Sequence, residues 1–189
     1  YRQFVAGLYR ALATQPGFEQ HLPAATAIGT REPGMLIYFI ASKTPGAQIE
    51  NPRQVSAFEY PAQYGPRSPS FSRATLADAG SEACLLVSGT ASIVGHASQH
   101  AGDAKAQLVE IARNLKALQL RAQRQRGGTT EWVPALLKLY LRDPAQLPQL
   151  RECLREQFGD APLLCLEGDI CRSDLLVEIE AVYRLAGAA

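Results

Sequence analysis

The chain has 189 residues, with 19 lysines and arginines against 18 aspartates and glutamates, which gives a formal net charge of +1. Hydrophobic residues make up 47% of the sequence, enough to build a core, so intrinsic disorder is disfavoured. The nearly balanced charge argues against nucleic-acid binding through broad phosphate neutralisation. No apolar run approaches the ~20 residues that a membrane-spanning helix needs.

The cysteines and histidines do not form a recognisable metal site. No cysteine belongs to a Cys-x-x-Cys pair, and all four lie in or beside apolar runs: Cys84, Cys153, Cys165 and Cys171. This pattern favours buried free thiols in a cytoplasmic protein. His96 and His100 have the spacing of a zinc-binding helix, but the glycines and small residues around them predict a loop over residues 95–102. We therefore expect no metal.

The first part of the chain combines a helix, an apolar run and a proline-rich segment. Apolar residues at helical spacing predict a helix within residues 1–15 that ends by Pro16-Gly17. Residues 35–40 form a compact apolar run between two Pro-Gly pairs, which is typical of a buried strand. Residues 51–73 contain four prolines, which exclude a long helix and a central strand. Their aromatic and arginine side chains predict a segment that drapes over a surface.

After about residue 80 the pattern becomes regular. It predicts, in order, a strand over 83–87, a helix between the N-cap Asp103 and Gly127, a strand over 132–141, a helix over 144–158, a strand over 163–170 and a strand over 175–184. This order predicts an α+β fold in which two helices pack on one face of a mostly antiparallel sheet.

Periodicity also predicts which side chains face the core. The clearest amphipathic helix, after Asp103, should bury Leu108, Ile111, Leu115 and Leu118. Alternation in the strand over 132–141 should bury Val133, Ala135, Leu137, Leu139 and Leu141, with Lys138, Tyr140 and Arg142 on the other face. In the following helix, Leu147, Leu150, Leu154 and Phe158 should face inward.

The last strand carries a pair of carboxylates. Alternation places Glu178 and Glu180 on one face, opposite Val177 and Ile179. Residues two apart on one strand face lie roughly 7 Å apart. Burial together with a like-charged neighbour raises the pKa of one carboxyl, which can then act as a general acid near neutral pH. The alternative interpretation is an exposed acidic face that pairs with arginines.

Two neighbouring features are compatible with a site on this face. Arg172, in the turn before the last strand, can bind a substrate carboxylate in bidentate fashion. A surface salt bridge with Glu167 or Asp174 is the alternative for Arg172. The small residues at 88–92 end a strand with free amides that can accept an anion or polar ligand.

Several stretches of the sequence resemble known proteins. Residues 85–121, with Leu-Leu-Val-Ser-Gly-Thr-Ala-Ser-Ile-Val-Gly-His, are similar to the YjgF/RidA superfamily, as is the ending Val-Glu-Ile-Glu-Ala at 177–181. Residues 50–71, with Glu-Asn-Pro-Arg-Gln-Val-Ser-Ala and Tyr-Gly-Pro-Arg-Ser-Pro-Ser-Phe, resemble the chorismatases, also called pteridine-dependent dioxygenase-like proteins. The resemblance to the chorismatases also includes residues 171–180, with Cys-Arg-Ser-Asp-Leu-Leu-Val-Glu-Ile-Glu, and it covers nearly the whole chain.

The resemblance implies an enzyme that removes the enolpyruvyl group of chorismate as pyruvate, leaving a hydroxybenzoate or a dihydroxy-cyclohexadiene carboxylate. It implies a chorismate-mutase-like, YjgF-like fold and neither a cofactor nor a metal. The catalytic glutamate of the family falls on Glu178, which would protonate the methylene carbon of the enol ether. Chorismate is a dianion, so arginines should hold its carboxylates. The expected substrate contacts are Arg172, Tyr60, Arg67, Arg151, Gly89, Thr90, Ala91 and Cys171. Cys171 and Ala91 fall where subtypes vary, and the cysteine favours a hydroxybenzoate product.

The resemblance also implies a division of the chain. Residues 1–80 look like the C-terminal tail of a degenerate first YjgF-like domain followed by a Pro/Arg/aromatic connecting segment, and residues 81–189 look like a YjgF-like catalytic domain. Because the sequence starts at Tyr1 rather than at a methionine, we expect the C-terminal part of a longer protein. The expected partner is a small-molecule substrate, with no nucleic acid and no membrane. The expected assembly is a monomer with pseudo-trimeric domain packing or a homo-oligomer.

Two other functions remain open. RidA-type enamine/imine deaminases resemble the chain from residue 80 onward, but they carry an arginine in a Pro-Ala-Arg-Ser motif where this chain has Ala-Pro-Leu-Leu at 161–164. A non-catalytic YjgF module that binds a small acid is the second alternative. It would not need the Pro/Arg/aromatic segment at 51–73.

Overall fold

A computed structural model of the chain describes residues 2–79, 82–129 and 131–187. Over these ranges the helices are α1 (Arg2–Leu12), α2 (Ala104–Arg126) and α3 (Leu147–Phe158). The strands are β1 (Ala47–Ile49), β2 (Ala74–Ala79), β3 (Glu82–Ala91), β4 (Ile93–Val94), β5 (Ala97–Ser98), β6 (Trp132–Leu141), β7 (Leu163–Glu167) and β8 (Val177–Leu185). Of these, β4 and β5 form a small separate hairpin.

The other strands form one sheet in the order β1-β2-β3-β8-β6-β7. All neighbours are antiparallel except β6 and β7, which are parallel because α3 connects them. The strand that comes last in the sequence, β8, therefore lies in the middle of the sheet between β3 and β6. This central position places the residues of β8 beside both neighbouring strands.

Helices α2 and α3 cover one face of the sheet, as predicted. Asp103 caps α2, because its carboxylate accepts a hydrogen bond from the backbone N–H of Ala106 at 2.9 Å. Gly127, with φ +71°, ends the helix. The predicted core residues of α2 are at most 1% exposed: Leu108, Ile111, Leu115 and Leu118. Burial of each such side chain stabilises the fold by about 2 kcal/mol. The predicted α+β fold is thus confirmed.

Helix α3 also follows the prediction, with a modified first turn. Residues 144–146 form a turn of 3₁₀-helix after Asp143, whose side chain accepts a hydrogen bond from the Ala145 N–H. The α-helix then runs to Phe158, and Gly159 ends it. Leu150 and Leu154 are buried, while Leu147 and Phe158 are partly buried against the same core.

The prediction of a buried strand at residues 35–40 is wrong. These residues form no strand, and their side chains are 67% to 88% exposed. An apolar run becomes a strand only when a neighbouring strand takes up its backbone hydrogen bonds. No strand in the described part of the chain pairs with this segment. The apolar composition of residues 35–40 is typical of a strand, but composition alone does not provide a neighbouring strand to pair with.

Other boundaries also differ from the prediction. The strand predicted over 83–87 continues to Ala91, so residues 88–91 belong to β3 and do not end it with free amides. The loop predicted at 95–102 contains strand β5, which turns back on β4 at Gly95. The strand predicted over 163–170 ends at Glu167, because Asp169 forms a bridge with Gly29 instead. A bulge between Pro134 and Leu136 of β6 shifts the alternation, so Trp132 rather than Val133 packs in the core.

An extended segment, residues 22–30, crosses the sheet on the side away from α2 and α3. It begins beside β2, where Ala24 forms a bridge with Ser72. It passes β3, where the Gly89 N–H donates to the Thr26 hydroxyl at 2.9 Å. It reaches the end of β7, where Gly29 and Asp169 exchange two backbone hydrogen bonds. This segment therefore forms part of the wall around the non-helical face.

The sheet is continuous across the domain boundary predicted at residue 80. Strands β2 and β3 pair from Ala74 opposite Val87 to Ala79 opposite Glu82. Gly80 itself lies outside the described residues. The division into a first-domain tail and a catalytic domain stays a prediction. No helix among the described residues is long and apolar enough to cross a bilayer.

Candidate active site

Glu178 lies on the non-helical face of the sheet, near the start of the central strand β8. In β8, its neighbours Val177 and Ile179 are completely buried against the helices, which directs Glu178 to the opposite face, as alternation predicted. Its register partners are Ala91 on β3 and Tyr140 on β6. Glu178 is only 6% exposed. The structure therefore holds a carboxyl group between two neighbouring strands, near one end of the sheet, and largely out of water.

The Glu178 side chain packs directly against the backbone of Gly89. A Cβ atom at position 89 would lie 2.0 Å from Oε1 of Glu178 and 3.0 Å from the Thr26 methyl group. Real Cβ atoms do not approach other heavy atoms at the shorter of these distances. Only glycine at position 89 leaves enough space for the Glu178 carboxyl group to lie where it does against β3.

The environment of Glu178 favours its protonated form. Burial raises the pKa of the carboxyl group, the negative charge of Glu180 raises it further, and the positive charge of Arg73 opposes both. The resulting pKa is about 7, compared with an ordinary value of 4.5. Near neutral pH the group is thus present in both forms, as a general acid requires.

This raised pKa predicts that folding stability falls with pH. The folded state binds the Glu178 proton more tightly than the unfolded state, so the contribution is complete below pH 4.5 and is lost as the pH rises to about 7. We expect a loss on the order of 3 kcal/mol from this group. The free energy of unfolding, measured by denaturant titration from about pH 4.5 to 8.5, should fall less steeply in Glu178→Gln. Parallel pH dependences in both proteins would contradict the assignment.

Arg73 is the nearest compensating charge. It is 5% exposed and donates from Nη2 to the Val55 carbonyl at 2.8 Å and to the Tyr60 hydroxyl at 2.7 Å. Its guanidinium also lies 5.3 Å from the centre of the Tyr60 ring and 5.5 Å from that of Phe71. A buried, aromatic-packed arginine beside a buried carboxyl group is a suitable anchor for a substrate carboxylate.

Arg172 approaches the same Tyr60 ring from the turn before β8. Its guanidinium lies 5.3 Å from the centre of the Tyr60 ring and 4.0 Å from that of Tyr64. Nη1 donates to the His96 carbonyl at 2.9 Å and to the Ser98 hydroxyl at 3.1 Å. Within the described residues, Arg172 makes these contacts and not the alternative salt bridge with Glu167 or Asp174.

Cys171 lies within electrostatic range of Glu178 and the two arginines. Its side chain reaches solvent, yet protein atoms surround it on most sides. This desolvation and the negative charge of Glu178 raise the pKa of the thiol to about 11, while Arg172 and Arg73 act in the opposite direction. The thiol therefore stays protonated at neutral pH.

Two other predicted contacts occupy β3. Ala91 pairs with Glu178 in register and shares its face, where it is buried. Thr90 pairs with Ile179, which directs its side chain to the helical face, and its hydroxyl donates to the Ser88 carbonyl. Thr90 can therefore reach the non-helical face only through its backbone.

The structure does not bring Arg151 to Glu178. Arg151 lies on α3 and lines a cleft of about 330 Å³ between that helix and the sheet, together with Leu137 and Cys165. This cleft is on the helical face. Arg67 is exposed and lies 4.7 Å from the centre of the Tyr9 ring, in a groove that Tyr60 also lines. Arg67 thus remains near the predicted site, whereas Arg151 does not.

The histidines have other partners. Nδ1 of His96 is 3.0 Å from the Tyr64 hydroxyl, which also donates to the His96 carbonyl at 2.7 Å. His100 faces Glu110 on α2, with 3.8 Å between Nε2 and the carboxylate. Over the three described ranges, no group of three or more histidine, cysteine, aspartate and glutamate side chains could hold a metal ion.

Sequence reasoning missed three residues around Glu178: Arg73, Lys138 and Tyr140. Arg73 was one arginine among several in the proline-rich segment, and nothing in the pattern marked it as buried. Alternation did place Lys138 and Tyr140 on the face of β6 opposite the core. Pairing β6 with β8 would have brought them to the two glutamates, but the sequence does not give that register.

Comparison with solved structures first defines the class of protein. A crystal structure of a chorismatase matches with a TM-score of 0.81 and 32% sequence identity, over 96% of this chain and 57% of that chain. The yeast protein YEO7 matches with a TM-score of 0.54 and 12% identity, over 72% of this chain and 96% of that one, which shows the fold alone. The fold is therefore the YjgF/RidA-like α+β fold of the chorismatases.

Sequence comparison then gives the family. A model of the N-terminal domain of FkbO/Hyg5-like chorismatases matches residues 1–41. The 3-hydroxybenzoate synthase of Streptomyces hygroscopicus is 41% identical over 193 residues, which cover 96% of this chain and 56% of that protein. The chain thus resembles chorismatases in sequence and in fold over nearly its whole length, and the resemblance carried by the motifs is confirmed. It spans little more than half the length of the relatives that it matches.

Proposed function

We propose that the protein is a chorismatase, which cleaves the enolpyruvyl ether of chorismate and releases pyruvate and a hydroxybenzoate. One observation carries this proposal: a buried carboxyl group with a pKa of about 7 lies near Arg73, and Arg73 shares the Tyr60 ring with Arg172. This arrangement combines a general acid with binding groups for a dianion. The relative named 3-hydroxybenzoate synthase supports the hydroxybenzoate product.

The proposed reaction begins with proton transfer from Glu178 to the methylene carbon of the enol ether. The adjacent carbon becomes an oxocarbenium ion, and Glu178 becomes a carboxylate whose negative charge stabilises that cation. If water adds to the cation, the resulting hemiketal collapses as a proton passes to the ring oxygen, which releases pyruvate and leaves a dihydroxy-cyclohexadiene carboxylate. If a ring hydroxyl group adds instead, its bond to the ring carbon breaks, pyruvate leaves with that oxygen, and loss of one ring hydrogen as a proton gives the hydroxybenzoate. Proton uptake from solvent restores the acid form of Glu178, which its raised pKa favours.

The carboxylates of chorismate require cationic partners, and Arg172 and Arg73 are the proposed pair. Arg73 has one N–H donor available for a substrate carboxylate, because its buried Nε has no hydrogen-bond partner among the described residues. Arg67 instead contacts Tyr9, and Arg151 lies on the other face of the sheet. The main chain of β3 at Gly89 and Ala91 and the thiol of Cys171 would complete the walls of the pocket.

We expect Arg172→Ala to raise KM for chorismate at least about tenfold, because a charge-assisted contact to a carboxylate contributes roughly 1.5–3 kcal/mol. The KM of Arg172→Lys should lie between those of Arg172→Ala and the unsubstituted protein, since lysine keeps the charge and loses the planar fork. Steady-state kinetics would test both variants. An unchanged KM in Arg172→Ala would restrict Arg172 to packing against Tyr64.

The proposal is tested by incubating the full-length protein with chorismate and separating the products by chromatography. A hydroxybenzoate appearing together with pyruvate is the expected result. A dihydroxy-cyclohexadiene carboxylate would keep the activity and change the product class, whereas unconsumed chorismate would refute the proposal. A deaminase would release ammonia from enamine or imine substrates instead, and this chain has Leu163 where such enzymes carry the motif arginine. A cytoplasmic location, the division at residue 80 and the oligomeric state remain predictions.

A further inference from the structure

A chain of hydrogen bonds on β6 and β8 surrounds the second glutamate of the pair, Glu180. Lys138 Nζ donates to Glu180 Oε1 at 2.6 Å, and the Tyr140 hydroxyl donates to Oε2 at 3.2 Å. Lys138 also donates to the Tyr38 hydroxyl at 3.0 Å. The strands fix this arrangement, because Lys138 is the register partner of Glu180 and Tyr140 that of Glu178.

Glu180 forms an ion pair with Lys138, and each of its two oxygens has one of these donors as a partner. Lys138 is held in its charged form: burial lowers its pKa, but the hydrogen bonds to Glu180 and Tyr38 and the charge of Glu180 outweigh this and raise it. The ion pair is largely shielded, with side chains 20% and 17% exposed.

Glu180 is the negative charge that faces Glu178. From β6, Tyr140 is neutral, because burial and the charge of Glu180 raise the pKa of its hydroxyl. From the turn before β8, the Cys171 thiol is neutral as well, since its pKa is about 11. From the start of β2, Arg73 contributes a positive charge. The helices pack on the other face, so the charges that act on Glu178 are Arg73 and Glu180, the latter together with its ion-pair partner Lys138.

We propose that Glu180 is a positioning residue: Lys138 and Tyr140 hold its carboxylate on the same strand face as Glu178, and this negative charge keeps the proton on the catalytic acid. The placement of the proton is a property of the resting protein. Its consequence for catalysis rests on the proposed function. Glu180 itself is held by two donors and contacts no reacting atom in this scheme.

The placement of the proton is tested without any reaction. The Glu178 carboxyl carbon is followed by NMR titration in the full-length protein and in Glu180→Gln, Glu180→Asp and Glu167→Gln. Glu180→Gln should lower the midpoint by about one pH unit. Glu180→Asp, which keeps the charge, should stay closer to the unsubstituted protein. Glu167→Gln is the matched control, because it removes an equal charge that pairs with Arg31 at the sheet edge, and its midpoint should not move.

The same variants are then compared in kcat/KM against pH with chorismate as substrate. The alkaline limb, where the acid loses its proton, should move to lower pH in Glu180→Gln, while activity at the acid end is retained. A uniform loss at every pH would show a merely structural role and overturn the proposal. Lys138→Met should shift the pH of the alkaline limb of kcat/KM only in the protein that still carries Glu180. An equal displacement in the Glu180→Gln background would mean that Lys138 acts on Glu178 directly.

The two readouts separate this inference from the proposed function. A lowered Glu178 midpoint in a protein that leaves chorismate intact would support the role of Glu180 and refute the chorismatase assignment. Chorismate cleavage with an unmoved midpoint in Glu180→Gln would support the assignment and overturn the role of Glu180.

Discussion

Replacing Glu178 by glutamine is expected to reduce pyruvate release from chorismate about 10³-fold, through kcat rather than KM. Glutamine has nearly the same shape, so it keeps the packing against Gly89, but its amide cannot donate a proton to carbon. General acid catalysis contributes typically 10²–10⁴-fold, which sets the size of the effect. A coupled assay for pyruvate under saturating chorismate measures it directly.

Two controls make the result specific to Glu178. Glu156→Gln is the matched substitution on α3, exposed and on the helical side of the sheet, and it should keep full activity. Glu178→Asp keeps the acid but withdraws it by one methylene, so we expect activity between that of the two proteins. Pyruvate release by Glu178→Gln at the rate of the unsubstituted protein would remove Glu178 from the mechanism.

Gly89→Ala is expected to reduce kcat about 100-fold. The new Cβ atom would lie 2.0 Å from Glu178 Oε1, so either the carboxyl group must rotate away or β3 must shift. A misplacement of about 1 Å at a reacting group costs on the order of 10²-fold in rate. The two arginines lie on other segments, so KM should change much less than kcat. Steady-state kinetics with a thermal unfolding curve for each protein separates misplacement from unfolding.

Gly7→Ala provides the matched control for this substitution. Gly7 lies within α1, and a Cβ atom there would meet nothing within 4 Å. Alanine should stabilise the helix by about 0.5–1 kcal/mol and leave kcat unchanged. Full kcat in Gly89→Ala would show that the Glu178 carboxyl group does not need the position that it occupies against β3.

The parts of the fold that sequence reasoning predicted are those with local causes. The cap at Asp103, the apolar face of α2 and the stop at Gly127 act within a few residues of one another, and all three are confirmed. The orientation of Glu178 also followed from a local pattern, the alternation along β8. Such features require only the period of the element and the residue at its end.

The parts that it did not predict depend on contacts between distant segments. The bonds from Lys138 and Tyr140 to Glu180 depend on the register of two strands about 40 residues apart, which neither strand specifies alone. The burial of Arg73 depends on Tyr60 and Val55 in an irregular segment. Residues 35–40 show the opposite case, where a strong local pattern lacked a partner strand in the described chain.

The central claim is that an acid of the protein protonates the enol ether. The most direct test follows the solvent proton into the methyl group of pyruvate. Chorismate is converted in D₂O, and lactate dehydrogenase traps the pyruvate at once as lactate, so that later exchange cannot alter the methyl group. Mass spectrometry should find one deuterium in that methyl group, because Glu178 exchanges its proton with solvent before it donates. A methyl group without deuterium would contradict the account, since its third hydrogen would then have come from the substrate itself.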